Sequence, residues 1–283
     1  ALLLLFVFGT GKAALMPFHR WLPAAMVAPT PVSALLHAVA VVKAGVFTVV
    51  KVSVYIFGID TLADIAATDW LMVLAAFTIL SASVVALGKD NLKARLAYST
   101  ISQLSYVILG CMLATSMGVI GGSLQIAMHA MGKITLFFCA GAIYTAAHKT
   151  EISQMDGLGR AMPVTFAAFM IGALSVIGLP PLGGSWSKWF LLVGAADAQQ
   201  IAMIFVLLVS SLLNVAYLVP VAARGFFREH TGTGNPRNPG IQEAPVFCVI
   251  PLSLTAVGCL LLFFFADALY ALLLPITTSV TTP

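Results

Sequence analysis

The sequence predicts an all-α polytopic membrane protein with about eight transmembrane helices, two of them broken. Composition and run length predict it. Of 283 residues, 60% are hydrophobic and only 8% are charged, and the mean hydropathy is +1.04. A soluble domain carries roughly 25% charged residues, so this chain cannot cover a water-facing surface. Its apolar residues also come in long runs, and a spanning helix needs ~20 mostly apolar residues. The runs far exceed the roughly ten-residue alternating segments of a barrel, and helices leave no unsatisfied backbone edge in lipid. A soluble enzyme, a nucleic-acid binder and a disordered chain are excluded. The pI near 9.0 comes from a net charge of only +4 and reads as loop bias.

Span A is expected over 1–25, interrupted near its middle, and span B over 32–57. Spans C, D and E follow over 69–88, 96–115 and 118–147. Span F covers 163–195, again interrupted, then G covers 199–224 and H covers 246–274. The links alternate in charge. The A–B link holds His19 and Arg20, whereas the B–C loop holds Asp60, Asp64 and Asp69. Lys89, Lys93 and Arg95 lie between C and D, and the D–E link is uncharged. His148, Lys149 and Arg160, with Glu151 and Asp156, lie between E and F; Asp197 alone follows F. Arg224, Arg228 and Arg237 lie between G and H. Lys and Arg on every second loop place C–D, E–F and G–H in the cytoplasm and the C-terminus on the other side.

The G–H stretch REHTGTGNPRNPGIQEAP reads as an exposed connector. The expected divisions are a transmembrane domain over 1–225, a cytoplasmic loop over 226–245, a final transmembrane helix over 246–274 and a tail over 275–283. The chain opens at Ala1 on ALLLLFVFGTGK, without an initiating Met or a signal-peptide pattern. The first apolar run is short before Lys12, so an N-terminal part of a longer protein is expected to precede it. Cys111, Cys139, Cys248 and Cys259 follow no metal or disulfide spacing and read as packed thiols.

The informative residues are ionisable groups inside spans: Lys12 in A, His37 and Lys43 in B, His129 and Lys133 in E, and Lys188 in F. Each mid-bilayer charge costs ~2.5–3.5 kcal/mol, so four unpaired lysines oppose insertion by roughly 10 kcal/mol. A single Lys near a span end snorkels, as expected of Lys51, and a single His in a helix is commonly a packing residue. Four lysines and two histidines in four spans are harder to explain that way, and they mark a hydrated route. His129 and Lys133 are four apart and share a face, so a proton could pass between them directly or through one water. His37 and Lys43 are six apart, ~120° round a regular helix, less suited to contact but both able to border one wet cavity. Asp267, nearer the outer end of H and without a basic neighbour in sequence, is weaker evidence.

The backbone gives a second signal. In span A, GTGKAALMPFHRWLP is expected to break at Pro17 and Pro23, and in span F, GLPPLGGSWSKWFLL at Pro180 and Pro181 with Gly183 and Gly184. An ordinary proline kink is the plain reading. Yet each broken segment holds a lysine, and broken helices in corresponding positions mark ion sites in transporter repeats. Ser33, Ser99, Thr100, Ser102, Gln103 and Ser187 could line the cavities, although such residues often only pack. The chain has no P-loop, GxGxxG, HExxH or CxxC and no His pair set for haem. No cofactor and no metal are therefore expected. What remains is a relay of titratable bases through a membrane. The alternatives are a carrier of a small anion with the lysines as counter-charges, and a scaffold without transport.

Four segments carry a family resemblance: PFHRWLPAAMVAPTPVSALLHAVAVVKAG, DNLKARLAYSTISQLSYVILG, HAMGKITLFFCAGAIY and MPVTFAAFMIGALSVIGLPPLGGSWSKWFLL. In this order they resemble the antiporter-like membrane subunits shared by respiratory complex I, Mrp-type Na+/H+ antiporters and membrane-bound hydrogenases. The resemblance covers about 1–225, and GLGRAMP and SKWFLL look most like the Mrp D-type subunit. It implies a 14-helix fold with two inverted five-helix repeats, each with one broken helix, of which spans A–H would be the last part. Lys12 then matches the broken-helix lysine of the first half-channel, and Lys43 the bridging basic residue, with His37 beside it. His129 and Lys133 match the central relay of the second half-channel. Lys188 matches its exit-side group, where some relatives have Glu.

The family pairs the lysine at Lys12 with a Glu two helices earlier, upstream of Ala1. The implied function is translocation of protons, or Na+/H+ exchange, by one subunit of a multi-subunit antiporter or redox-driven pump. The resemblance admits a translocase subunit of an NADH:quinone oxidoreductase-like complex, without catalytic chemistry of its own. Implied partners are other membrane subunits, H+ or Na+, and lipid, with no nucleic acid. The implied location is a bacterial-type inner or plasma membrane.

Overall fold

The computed structural model describes residues 1–229 and 241–278, apart from the side chains of 36–38 and 278. Among these residues the ordered elements are all helical. Arg237 and most of the G–H connector lie outside them. The chain begins with α1 (Leu2–Gly9), a 3-10 turn over Gly11–Ala13 and the short α2 (Trp21–Ala24). After α3 (Thr30–Val32), a π-helical stretch Ser33–Ala40 leads into α4 (Val41–Val52), and a second π stretch, Ser53–Phe57, follows. The short α5 (Ile59–Asp64) then precedes three long helices, α6 (Ala66–Leu87), α7 (Leu92–Met112) and α8 (Ser116–Ala147). Next come α9 (Leu158–Ala161), α10 (Pro163–Ile177), α11 (Gly184–Asp197) and α12 (Ile201–Phe227). The chain closes with α13 (Val246–Phe264) and α14 (Ala266–Thr278).

Four of these helices, α6, α8, α12 and α13, are long and apolar enough to cross a membrane. The 21-residue α7 is not among them, because its polar residues dilute its hydropathy. Those polar residues do not face outward: every residue from Ser99 to Met112 is buried. A polar helix sheathed by apolar ones is the arrangement expected where lipid forms the outer solvent. At the centre stands α8, whose 32 residues reach ~48 Å at 1.5 Å per residue. It packs against α7, α10, α11 and α13.

Two expectations need correction. Span H is not one helix. It ends at Phe264 and restarts at Ala266, although no glycine or proline lies at the join. The indole of Trp186 donates to the Phe263 carbonyl at 3.1 Å, satisfying an end-of-helix acceptor from a neighbouring element. Pro23 does not break a helix either. It is the third residue of α2, in a first turn where its missing N–H has no intrahelical role. Pro17 lies in the irregular stretch before α2, and Pro180 and Pro181 fall between α10 and α11.

The basic loops gather at one end of the bundle. Leu92 N–H donates to Thr150 and Ile152 N–H to Asp90, stitching the loop after α6 to the loop after α8. Arg160 donates to the Phe226 carbonyl at 3.1 Å, and Gly157 N–H to the Arg224 carbonyl. At the opposite end, the Thr115 hydroxyl donates to the Gly194 carbonyl at 3.2 Å.

Asp156 pairs with Arg224 at 2.6 Å and Arg228 at 3.3 Å at the basic end. The Arg224 guanidinium beside it holds the Asp156 carboxyl below the usual carboxylate range. A depressed folded-state pKa contributes stability that is present above the unfolded value near ~4 and is lost as pH falls through the folded value. Amides around Gly157 should therefore lose protection on acidification below about pH 4. Asp156→Asn should raise their exchange about two- to fivefold at neutral pH, the scale of one surface ion pair. Hydrogen exchange reads both outcomes.

Candidate functional site

The site is built around α8. His129 and Lys133 lie one turn apart on it and are 2% and 0% exposed. Lys133 Nζ donates to the Leu96 carbonyl of α7 at 3.1 Å. His129 takes its bond from a different helix: Lys43 Nζ, on α4 and 7% exposed, donates to His129 Nδ1. Lys188, 8% exposed near the start of α11, donates to the Ile177 carbonyl at 2.7 Å and the Ser211 hydroxyl at 3.0 Å. Its Nζ also stands 5.1 Å from the centre of the Tyr106 ring, a cation–π distance.

Each of these lysines is held by neutral groups. Among the described residues no acidic side chain pairs with Lys43, Lys133 or Lys188. An ammonium held only by neutral acceptors can give up its proton without leaving a buried carboxylate uncompensated.

Not every expected residue joins this group. Lys12 is exposed on a 3-10 turn that packs on α4. The side chain of His37 lies outside the described residues, and its backbone belongs to the π stretch Ser33–Ala40. The regular-helix angle between His37 and Lys43 therefore does not apply. His129 and Lys133 bond to separate partners, Lys43 and the Leu96 carbonyl. Of the expected cavity residues, the Ser33 and Thr100 hydroxyls donate to the Ala28 and Leu96 carbonyls and serve local structure. Ser99, Ser102, Gln103 and Ser187 bond across helices.

Those bonds bring in residues that the sequence did not single out. Gln125 lies one turn from His129 on α8. Its amide donates to Gln103 Oε1 at 2.7 Å, and its Oε1 accepts from the Ser187 hydroxyl at 2.5 Å. Since Ser187 adjoins Lys188, this bridge links the His129 and Lys188 regions through α7, α8 and α11. A second set joins Ser83 on α6 to Ser102 at 2.9 Å and to Ser210 on α12 at 3.4 Å. Eight buried polar atoms lack a partner among the described residues, and four of them are Gln103 Nε2, Tyr106 Oη, His129 Nε2 and Asn214 Nδ2. All four belong to this region, and orphaned polar atoms in a polar cavity are where buried water binds. A Gln125, His129, Lys133 stripe at spacing four was the available sequence signal. Among the described residues no three His, Cys, Asp or Glu side chains could hold a metal.

Residues 1–214 match a family profile described as NADH:quinone oxidoreductase/Mrp antiporter, TM. The chain is 37% identical over 221 residues to NADH-quinone oxidoreductase subunit L of Rickettsia bellii, covering 78% of this chain and 33% of that protein. It is 33% identical over 278 residues to NADH-quinone oxidoreductase subunit N of Desulforudis audaxviator, covering 94% of this chain and 54% of that one. Its fold is similar to a chain in the structure of the Mrp complex from Dietzia sp., with a TM-score of 0.86 at 24% identity, over 98% of this chain and 58% of that chain. The chain thus spans between a third and six tenths of the length of these three relatives.

Proposed function

The chain belongs to the NADH:quinone oxidoreductase/Mrp antiporter transmembrane family, and from that premise we propose that it moves protons across a membrane as part of one subunit of a multi-subunit complex. The proposed relay is Lys12, His37, Lys43, His129, Lys133 and Lys188. The observation that carries this reading is the row of buried lysines with neutral partners only, Lys43 on His129, Lys133 on Leu96 and Lys188 on Ile177 and Ser211. A bound proton can step between such bases when water or hydroxyls connect them, and repulsion between two charged lysines drives the next step. Nothing in this row supplies a redox centre, so the energy comes from a partner module or a second ion gradient. Na+ exchange for H+ remains within the reading, as do neighbouring membrane subunits and lipid.

The larger architecture belongs to the same proposal: eight crossings, the last part of a 14-helix inverted-repeat fold, with the turns after α6, α8 and α12 in the cytoplasm and the C-terminus outside. The basic residues at one end of the bundle support that orientation.

The test is transport by the full-length subunit in its complex, reconstituted in liposomes with a pH-sensitive dye and a labelled small anion. Proton movement independent of the anion is the expected result. Anion-dependent uptake without a pH change would instead make the lysines counter-charges of a carrier.

A further inference from the structure

The relay leaves one buried polar group unused. On α12, Ser210 and Ser211 precede Asn214 by four and three residues, and Asn214 precedes Tyr217 by three, so both serines lie within a turn of Asn214. The helix packs chiefly on α6 and α10, and side chains of this face reach across to α7. The Tyr217 hydroxyl bonds with Ser99 of α7 at 2.9 Å and donates to Asn214 Oδ1. Ser211 accepts from Lys188. Ser99, Ser210, Asn214 and Tyr217 are fully buried, in a helix whose opposite face is apolar and exposed at Phe205, Leu208 and Leu212.

The line has two distinct ends. At one, Arg95 donates to the Tyr217 carbonyl at 3.0 Å and to the Lys89 carbonyl at 2.8 Å, which ties Tyr217 to the basic end. At the other is the Lys188 ammonium. Between them, Asn214 Nδ2 and the Tyr106 hydroxyl are buried without a hydrogen-bond partner among the described residues. Packing alone does not account for this. An apolar residue at 214 would fill the same space without burying an orphan donor.

We propose that Ser99, Tyr217, Asn214 and Ser211 form a proton path between the basic end of the bundle and Lys188, separate from the His129–Lys133 stretch. The inference rests on the relay reading above, since it needs Lys188 to exchange protons. Tyr217 has one hydroxyl proton and two oxygen neighbours. It can donate to Ser99, or accept from Ser99 and donate to a water that in turn donates to Ser211, and such a file conducts by switching between the two arrangements. Each hydroxyl gains a proton on one side and releases its own on the other, so no charge stays behind. Asn214 does not pass the proton itself; its free amide donor orients a water between Tyr217 and Ser211.

The test uses the full-length subunit in its complex in liposomes. Tyr217→Phe removes one oxygen, Asn214→Leu keeps the volume, and Ser99→Ala serves if either variant fails to assemble. Initial proton flux should fall about tenfold or more in each. The remaining flux should show a larger solvent isotope effect in D2O, because proton transfer becomes the slow step. A lower flux with an unchanged isotope effect would mean a structural role only and overturn the path. Wild-type flux in these variants, with Lys188→Ala inactive, would overturn the path and leave the relay standing. Wild-type flux in Lys188→Ala would remove the relay and the path together.

Discussion

Replacing Lys133 with alanine should abolish proton transport by the reconstituted complex, by about a hundredfold or more, and leave assembly intact. The two halves of that expectation have separate grounds. Lys133 is fully buried on the central helix, one turn from His129, and bonds to the main chain of α7. A proton route past α8 therefore loses a titratable group at its midpoint. The fold loses little. The Leu96 carbonyl that accepts from Lys133 also accepts from the Thr100 hydroxyl at 2.9 Å, so removing the lysine does not orphan it. Deleting a buried ammonium also removes a desolvation cost, which offsets part of the lost packing. Size-exclusion profile and subunit content read assembly, and dye-monitored flux reads transport.

The second large effect is structural and falls on the join between α10 and α11. Gly184→Ala should destabilise the subunit by at least the ~3 kcal/mol at the upper end of overpacking costs. A Cβ at 184 would lie 1.9 Å from the Ser175 carbonyl oxygen and 3.0 Å from its carbon. Both are backbone atoms and cannot rotate away. The two half-helices would have to part, and the Lys188 bond to the Ile177 carbonyl spans that same join. Gly178 constrains it from the other side: its φ is +88° and a Cβ there would stand 2.6 Å from Lys188 Cδ. Gly88→Ala is the matched control, since its nearest contact would be an ordinary 3.7 Å. Thermal unfolding in detergent should separate the two, with Gly184→Ala melting well below wild type and Gly88→Ala close to it.

How far the sequence led differs from element to element. The interruption between α10 and α11 was legible because consecutive prolines and glycines cannot continue a helical ladder. The His129–Lys133 face was legible because spacing by four is geometry within one helix. The Lys43–His129 contact was not, since it joins residues 86 apart on two different helices. The join at Phe265 was hidden for a similar reason: its stabilising donor, Trp186, comes from α11. The α12 line escaped because Ser, Asn and Tyr in an apolar helix read as packing until their partners on α7 are known. Lys12 shows the reverse. Its sequence context placed it with the buried lysines, whereas it is exposed here beside α4.

Charge and proton exchange at the central lysine can be separated by one substitution. Lys133→Arg keeps a positive charge and a donor to Leu96 but stays protonated at every relevant pH. Initial proton flux of the complex carrying Lys133→Arg, at equal subunit content in liposomes, is the most direct measure of whether the buried lysines pass protons. Loss of flux comparable to Lys133→Ala is the predicted result. Flux at the wild-type rate would show that a fixed positive charge suffices there and would contradict the relay.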